Sequence, residues 1–440
     1  MALRRDTICA LATGQPPAAI ATLRISGPQT RAIISNLISS SGLEARRATL
    51  VTLRTEQGDL VDRGLAVFMP GPGSYTGEDT LELSLHGGRV ITEKALNSIM
   101  SAGARLAEPG EFTRRAFEAG KLDLTRAEAV ADLIDAETEA QLNQAQKQLD
   151  GALEDLYSGW RERLTNCLAL LEASIDFPDE EDAPDRVDGP VYEMISRLES
   201  ELKHALKDGN ITERIRDGFK VTILGKPNAG KSTLLNQLAG RDAAIVTDIP
   251  GTTRDVVEVR LVLGGLLVWV SDTAGLRDTE DVVEAEGVRR ARKAAKDADI
   301  RIWMYDARES FESDDVQPGD IVIANKSDLV VSSDVSRETL LLSAKTGDGV
   351  SGVEAKIIER IGDLTARVSA PMITRARHRQ GIERALLHLL QARQHLENRT
   401  GAEFTSEEVR MASRELGTLT GHVDPDMVLG AVFSSFCIGK

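Results

Sequence analysis

Cysteine is scarce in this chain of 440 residues, which contains only Cys9, Cys167 and Cys437. Three widely separated thiols do not provide a disulfide framework or a cysteine-based zinc site. The composition therefore indicates a reducing compartment, and we expect a cytoplasmic protein.

Long apolar runs are also missing. The longest candidate, residues 259–270, is far shorter than the roughly 20 apolar residues of a membrane-spanning helix and is interrupted by Arg260 and two glycines. The first residues carry charge but are not followed by the apolar segment and cleavage site of a signal peptide. The sequence predicts neither membrane insertion nor secretion.

The chain has few positive charges, with 53 Lys and Arg residues against 69 Asp and Glu residues. Its net charge is −16. Such a chain has little general attraction for nucleic-acid phosphates. Nonspecific phosphate binding is therefore not expected to be its main activity, although a local basic patch or a basic partner could bring RNA close.

The chain is long enough for about three domains, and its pattern changes twice. Residues 1–120 mix short β-rich runs with helical patterns, which predicts an α/β or α+β domain. The predicted strands are Thr7–Ala12, Ala19–Ile25, Ala48–Leu53, Leu65–Met69 and Leu81–Leu85, and the predicted helices are Pro28–Ser39 and Val90–Ala102. The loop Pro70–Gly77 leads into a strand, so we interpret it as a loop that shapes the domain and not as a phosphate-binding loop.

Two helical blocks flank a segment of different character. Residues 121–216 are helical over Leu124–Ile175 and Val191–Glu213, and the acidic run between them reads as a solvated loop. Residues 366–440 are helical over Thr374–Asn398 and Ser406–Leu416. Since the ends of an α/β domain are commonly close together, we predict one helical domain interrupted by an inserted domain at residues 217–365.

The inserted segment begins with a phosphate-binding pattern. The apolar strand Phe219–Leu224 leads directly into Gly225-Lys-Pro-Asn-Ala-Gly-Lys-Ser232, and a helical pattern follows from Thr233. This is G-x-x-x-x-G-K-S between a strand and a helix, the arrangement in which backbone N–H groups surround phosphates. Lys231 is predicted to reach the β- and γ-phosphates, and the Ser232 hydroxyl to bind Mg²⁺.

Three further motifs follow in order, each after an apolar run: Asp272-Thr273-Ala274-Gly275, Asn325-Lys326-Ser327-Asp328 and Ser343-Ala344-Lys345. The Asp328 carboxylate is predicted to accept the N1–H and N2–H₂ donors of guanine. Adenine offers neither donor there and would leave a buried carboxylate unpaired. The four motifs together predict a GTP-binding domain.

Two details concern hydrolysis. Thr253, in the segment between the first two motifs, is the predicted final Mg²⁺ ligand, the alternative being a turn threonine without a ligand role. Leu276 occupies the place where Ras-type enzymes have a water-orienting Gln, so another group must serve. The nearby acids each read, from sequence alone, as surface residues: Asp278, Glu280, Asp281, Glu284 and Glu286.

With these motifs, the chain resembles the MnmE (TrmE) family of tRNA-modification GTPases, within the TrmE-Era-EngA-like group. The resemblance rests on the motif order, on the segment Gly251-Thr-Thr-Arg-Asp255 and on the ending Phe436-Cys-Ile-Gly-Lys440. It extends through Leu23-Arg-Ile-Ser-Gly27, Ser74–Asp79, Glu82, His86-Gly-Gly and the run from Glu111 to Leu124.

The resemblance implies an α/β P-loop G domain inserted into an all-helical domain and preceded by an α+β N-terminal domain that binds folate and dimerises. It implies K⁺ bound by Asn228, Thr247, Ile249 and Thr252, and it selects Glu284 as the residue that orients the attacking water. The implied GTP-binding residues are Asn228, Ala229, Gly230, Lys231, Ser232, Thr233, Thr247, Thr252, Thr253, Asp272, Thr273, Ala274, Gly275, Asn325, Lys326, Asp328, Ser343, Ala344 and Lys345.

The resemblance further implies a reduced folate, 5-formyl- or methylene-tetrahydrofolate, held by Arg24, Glu82, Lys121 and Lys440. It implies a homodimer that works with the flavoprotein MnmG in a heterotetramer on the wobble uridine of tRNA, with Cys437 as a candidate for the chemistry. The alternatives are an RNA-binding GTPase of ribosome assembly and a dynamin-like membrane remodeller. The chain shows neither the basic appendage typical of the first nor the membrane-inserting segment needed by the second.

Overall fold

The computed structural model describes residues 6–39, 42–176, 188–240, 257–272, 293–311, 315–330, 339–366 and 373–423, together with 429–430, 432–433, 436 and 439. The described residues form two compact units. Unit 1 takes its residues from 1–131, 148–187 and 398–440, and unit 2 from 132–147 and 188–397. The four domain segments expected from the sequence (1–120, 121–216, 217–365 and 366–440) stay a prediction.

Unit 1 contains a seven-stranded mixed sheet with the order β3-β4-β5-β6-β2-β1-β7, in which only β1 and β7 pair in parallel. Buried and exposed side chains alternate along β2, so Leu23 and Ile25 enter the core while Arg24 faces the other side. The strands are β1 Thr7–Leu11, β2 Ile20–Ser26, β3 Ile38–Ser39, β4 Thr49–Arg54, β5 Leu60–Met69, β6 Thr80–His86 and β7 Ala104–Leu106.

Helices α1 (Thr30–Leu37) and α2 (Arg89–Ser101) contribute Ile33, Ala95 and Ile99 to the core of this sheet. The five predicted strands and both predicted helices of this region are confirmed, with shifted ends. The sequence missed the two short strands β3 and β7 and the helix α3 (Glu111–Glu118).

The helical stretch predicted over residues 124–175 consists of three helices, α4 (Leu124–Asp135), α5 (Glu139–Leu149) and α6 (Ala152–Asp176). Gly151 has a φ of +104°, a left-handed conformation that ends one helix before the next begins. In unit 1, α6 packs along α11 (Ala402–Thr420). The buried stripe of α6 follows helical spacing: Leu153, Tyr157, Trp160, Leu164, Cys167 and Leu171.

Unit 2 contains a six-stranded sheet with the order β13-β12-β11-β8-β10-β9. All neighbouring strands pair in parallel except β9 and β10. Helices α8 (Lys231–Ala239) and α9 (Val350–Thr365) supply Leu234, Leu238, Val353 and Ile357 to its core. The strands are β8 Phe219–Leu224, β9 Val257–Leu263, β10 Leu266–Asp272, β11 Ile300–Asp306, β12 Ile321–Asn325 and β13 Leu340–Leu341.

Helices α7 (Asp188–Asp217) and α10 (Ala376–Asn398) also lie in unit 2, and they confirm the predicted helices over residues 191–213 and 374–398. The short 3₁₀ turn Ser327–Leu329 follows β12. Among the helices that the structure describes, none combines the length and apolarity needed to cross a bilayer.

Candidate functional site

The phosphate-binding pattern forms a tight loop between the end of β8 and the start of α8 in unit 2. Two glycines in this loop have left-handed φ values, +141° at Gly225 and +98° at Gly230. A Cβ atom at Gly225 would lie 2.0 Å from the Met304 carbonyl oxygen, and one at Gly230 would lie 2.1 Å from Asn325 Nδ2. Both positions therefore require glycine for conformation and for space.

The Lys231 side chain folds back over this loop. Its ammonium donates hydrogen bonds to the carbonyl oxygens of Gly225, at 2.8 Å, and Lys226, at 2.9 Å. Burial lowers the pKa of Lys231 below its ordinary value, and the negative charge of Asp272 offsets part of this shift. Phosphate oxygens in the loop would give the ammonium anionic partners where it now has neutral carbonyls.

Ser232 and Asp272 come together although they are distant in sequence. Asp272 ends β10, the strand parallel to β8, and the Ser232 hydroxyl donates a 2.5 Å hydrogen bond to its carboxylate. A hydroxyl beside a buried carboxylate is an oxygen donor set that suits Mg²⁺. The described residues contain no cluster of three or more His, Cys, Asp or Glu side chains placed to hold a metal.

The base-reading motifs meet the phosphate loop through Asn325 at the end of β12. Its side-chain amide donates to the Ala229 carbonyl oxygen at 2.7 Å and accepts from the Ala344 N–H at 2.9 Å. The Ser343 hydroxyl donates to the Asp328 carboxylate at 2.7 Å. The predicted phosphate-binding and guanine-binding segments thus form one continuous site.

Other predicted nucleotide residues lie on the surface of this site. Asn228 is exposed and has a left-handed φ of +63°, while Ser232, Thr233 and Lys345 are also exposed. The ammonium of Lys326 donates a 2.9 Å hydrogen bond to the carboxylate of Asp306, a residue that the sequence analysis did not select.

In unit 1, the predicted folate residues Arg24 and Glu82 face each other on β2 and β6. The Nε of Arg24 donates a 2.9 Å hydrogen bond to the Glu82 carboxylate. A terminal guanidinium nitrogen of Arg24 lies 2.8 Å from the same carboxylate oxygen. Two aromatic rings flank this guanidinium, with centroids 5.9 Å away for Tyr75 and 5.6 Å away for Phe112. These distances are within the range of cation–π contact.

Helix α3 supports this site with three contacts. Phe112 provides one of the rings near Arg24, and Thr113 forms a 3.0 Å hydrogen bond with the Tyr75 hydroxyl. Arg115 donates to the Glu78 carboxylate at 3.1 Å. The loop that carries Tyr75 and Glu78 is therefore held against the sheet by α3, and no periodic pattern in the sequence predicts this contact.

Lys121 is exposed, and its ammonium donates a hydrogen bond to the carbonyl oxygen of Pro72. Pro72 belongs to the Pro70–Gly77 loop, the same loop that places Tyr75 beside Arg24. This loop thus contacts two of the predicted folate residues, Lys121 through Pro72 and Arg24 through Tyr75.

Ten predicted site residues lie outside the described part of the chain: Thr247, Ile249, Thr252, Thr253, Thr273, Ala274, Gly275, Glu284, Cys437 and Lys440. Gly439 is described, and a Cβ atom on it would lie 2.2 Å from the carbonyl oxygen of Leu11. Leu11 ends β1, which pairs with the strand that carries Arg24. This part of the tail therefore lies close to the sheet of the candidate folate site.

Unit 2 also contains a cavity of about 1670 Å³ between α7, β11 and the end of α9. Trp303 and Tyr305 line it, and it reaches Gly225 and Lys226 at the start of the phosphate loop. Lys231, Asp272 and Asp328 are not part of its wall. The candidate nucleotide site is therefore defined by its hydrogen bonds and not by this cavity.

Known proteins match this chain along its whole length. The family model described as GTP-binding protein TrmE N-terminus matches residues 7–121, and the model described as MnmE helical domain matches residues 124–437. The tRNA modification GTPase MnmE of Hyphomonas neptunium is 54% identical over 438 residues, which cover 99% of each chain. The chain belongs to the MnmE (TrmE) family.

A second MnmE, from Maricaulis maris, is 48% identical over 438 residues, with 99% of each chain covered. Among solved structures, Era of Aquifex aeolicus bound to GDP·AlF₄⁻ is 27% identical and covers 32% of this chain and 56% of its own, with a TM-score of 0.26. Membership of the MnmE family confirms the predicted architecture, because the helical-domain match encloses the G domain and the N-terminal match precedes it.

Proposed function

We propose that this chain hydrolyses GTP and takes part in the modification of tRNA. The observation that carries the proposal is the pair of hydrogen bonds by which Asn325 joins Ala229 of the phosphate loop to Ala344 of the guanine loop. These contacts support a single site that would hold both the phosphates and the guanine base of GTP. The relatives named tRNA modification GTPase MnmE support the second half, since they match nearly the full chain.

The proposed hydrolysis divides the work among a few side chains. Lys231 binds the β- and γ-phosphates, and Ser232, oriented by Asp272, holds Mg²⁺ together with Thr253. Bound Mg²⁺ and K⁺ supply positive charge beside the phosphates, where an arginine finger serves other GTPases. Glu284 orients the attacking water, because Leu276 occupies the position at which Ras-type enzymes have the water-orienting Gln. The K⁺ ligands are Asn228, Thr247, Ile249 and Thr252.

The N-terminal site is proposed to hold a reduced folate, 5-formyl- or methylene-tetrahydrofolate. Arg24 and Glu82 offer opposite charges, and Lys121 and Lys440 add two cations, which fits a ligand with a pterin edge and a glutamate tail. The folate would donate one carbon to C5 of the wobble uridine, and ammonia or glycine would complete the aminomethyl or carboxymethylaminomethyl group. Cys437, three residues before Lys440, is the nucleophilic candidate of the tail.

The proposed assembly is a cytoplasmic homodimer that joins the flavoprotein MnmG in a heterotetramer. The net charge of −16 agrees with a partner, MnmG, that supplies much of the surface that binds tRNA. GTP hydrolysis would drive a conformational change between the G domains of the dimer and would add no atoms to the product.

The test is a reconstitution with two readouts. Purified protein is assayed for phosphate release from GTP and, with MnmG, tRNA, reduced folate and glycine or ammonium, for the modified wobble nucleoside by mass spectrometry. We expect Glu284→Ala to slow hydrolysis by about a hundredfold while GTP still binds. Loss of GTP binding in this variant would assign Glu284 a structural role. Active hydrolysis without any modified nucleoside would instead favour the ribosome-assembly alternative.

A further inference from the structure

Asp306 lies beside the beginning of the guanine-reading loop. It is the last residue of β11 and is paired in parallel register with Asn325, the last residue of β12. Lys326 follows with a left-handed φ of +66°, and its ammonium donates a 2.9 Å hydrogen bond to the Asp306 carboxylate. Two neighbouring strand ends thus place an acid directly against the lysine of the base-reading motif.

The Asp306 carboxylate is an anion with fixed geometry. Its side chain is only 9% exposed, and Arg308 donates to it through Nε at 2.9 Å and through a terminal nitrogen at 2.6 Å. These hydrogen bonds from Arg308, followed by the one from Lys326, hold the pKa of Asp306 well below its usual range. Asp306 is therefore an anionic partner for the Lys326 ammonium at neutral pH.

We infer that Asp306 is a positioning residue that fixes the Lys326 side chain as one wall of the guanine pocket. The inference rests on the proposed GTP binding. The backbone of Lys326 is fixed at one end of the side chain by its turn, and Asp306 fixes the ammonium at the other end. The aliphatic stem is therefore held at both ends, so less rotamer freedom is lost when a purine ring packs against it.

The first test is Asp306→Asn, with affinities measured by fluorescence titration of labelled GDP and competition by unlabelled nucleotides. We expect about tenfold weaker binding of GTP and GDP, because the ion pair with Lys326 is replaced by, at most, a weaker hydrogen bond to a neutral amide. The affinity for inosine triphosphate should decrease by the same factor. The Lys326 stem packs on the face of the ring and makes no contact that depends on the 2-amino group. Unchanged affinities would overturn the inference.

A double-mutant cycle separates positioning from a general structural role. In the Lys326→Met background, Asp306→Asn should cause no further loss of affinity, because the side chain that it positions has no ammonium. If the full loss persists in that background, Asp306 acts through Arg308 or the backbone and the inference is wrong.

Asp320→Asn is the matched control. Asp320 precedes β12, its side chain is 6% exposed, and it accepts hydrogen bonds from Arg301 and Trp303 at 2.9 Å each. This variant should retain wild-type nucleotide affinity, with thermal melting of both variants showing that they fold. An equal loss of affinity in Asp320→Asn would also contradict the inference. Failure of the unaltered protein to bind GTP would be a different result, which would overturn the proposed function itself.

Discussion

The side-chain amide of Asn325 and the backbone of Ala229 are joined by a 2.7 Å hydrogen bond, although 96 positions separate them. Asn325 is 3% exposed and also accepts a hydrogen bond from the Ala344 N–H. One buried amide thus connects the phosphate loop with both segments that read the base. These two hydrogen bonds are direct contacts between the three segments.

Asn325→Ala should weaken GTP and GDP binding by ten- to a hundredfold, on the order of 1.4 to 3 kcal/mol, because the Ala229 carbonyl and the Ala344 N–H lose their partner. Isothermal titration gives the affinities. Gln144→Ala is the matched control, since the buried Gln144 amide donates to the Thr212 carbonyl at 2.9 Å away from these motifs. It should lower the melting temperature without a comparable loss of affinity, and equal losses in both variants would show a general effect of destabilisation.

Asp328→Asn should weaken GTP binding and improve the binding of xanthosine triphosphate. An amide offers a donor where the carboxylate only accepts, and xanthine has a carbonyl oxygen at the position of the guanine 2-amino group. Competition assays with the two nucleotides measure the change. Asp348→Asn is the control. Asp348 is an exposed acid that accepts a 2.8 Å hydrogen bond from the Thr346 hydroxyl, and its substitution should leave the preference for GTP unchanged. An unchanged preference in Asp328→Asn would mean that another residue reads the base.

The nucleotide motifs could be predicted because each is short and lies at a strand end. Strand–loop–helix spacing was enough to select Lys231 and Ser232, and parallel pairing then brings Asp272 to the same edge. The role of Asp306 could not be found in this way, since its contact with Lys326 depends on which strand lies next to β12.

The candidate folate site shows the same limit. Arg24 and Glu82 were selected by family resemblance, but their aromatic neighbours Tyr75 and Phe112 depend on how a loop and α3 pack on the sheet. No local pattern encodes such packing. Helical periodicity likewise predicted one helical stretch over residues 124–175, and the separation into three helices depends partly on the left-handed backbone of Gly151.

Nucleotide affinity should fall at alkaline pH because of Lys231. Burial lowers the pKa of its ammonium in the free protein, whereas bound phosphates favour the charged form and raise that pKa. Affinity should therefore be constant below the lowered pKa and decrease as pH rises through it, by at most tenfold per pH unit. GDP titrations from neutral pH upward measure this. The guanine base of the nucleotide also loses a proton at alkaline pH, and this affects wild type and Lys231→Met alike. A decrease of equal slope in Lys231→Met would therefore exclude Lys231 as the cause.

The same shift affects stability without nucleotide, with the opposite sign. Between the lowered pKa and the ordinary lysine value, the unfolded chain binds more protons at Lys231 than the folded chain. The contribution of Lys231 to the free energy of unfolding therefore increases with pH in this window. Denaturant unfolding of wild type and Lys231→Met at several alkaline pH values isolates this contribution.

Arg24→Ala should weaken the binding of a reduced folate at least tenfold, because Glu82 loses its ion-pair partner and the ligand loses a cation. Tyr75 provides a sharper test. Tyr75→Phe keeps the ring near Arg24 and loses only the hydrogen bond to Thr113, so binding should be retained, whereas Tyr75→Ala should reduce it. Equilibrium dialysis measures each variant. Arg47→Ala removes an exposed ion pair with Glu44 and should have no effect. Unaltered binding in Arg24→Ala would place the folate elsewhere.

GTP turnover should be faster in KCl than in NaCl at matched ionic strength. The reason is the proposed K⁺ site, to which Asn228 contributes its side-chain oxygen from an exposed, left-handed position at φ +63°. Asn228→Gly is the informative variant, because glycine adopts that backbone conformation without strain and only the side-chain ligand is removed. Its turnover should be low and nearly equal in both salts, while its GDP affinity stays within a few-fold of wild type. Equal turnover of the unaltered protein in KCl and NaCl would contradict a K⁺-dependent mechanism. Persistent stimulation by K⁺ in Asn228→Gly would instead place the cation on other ligands.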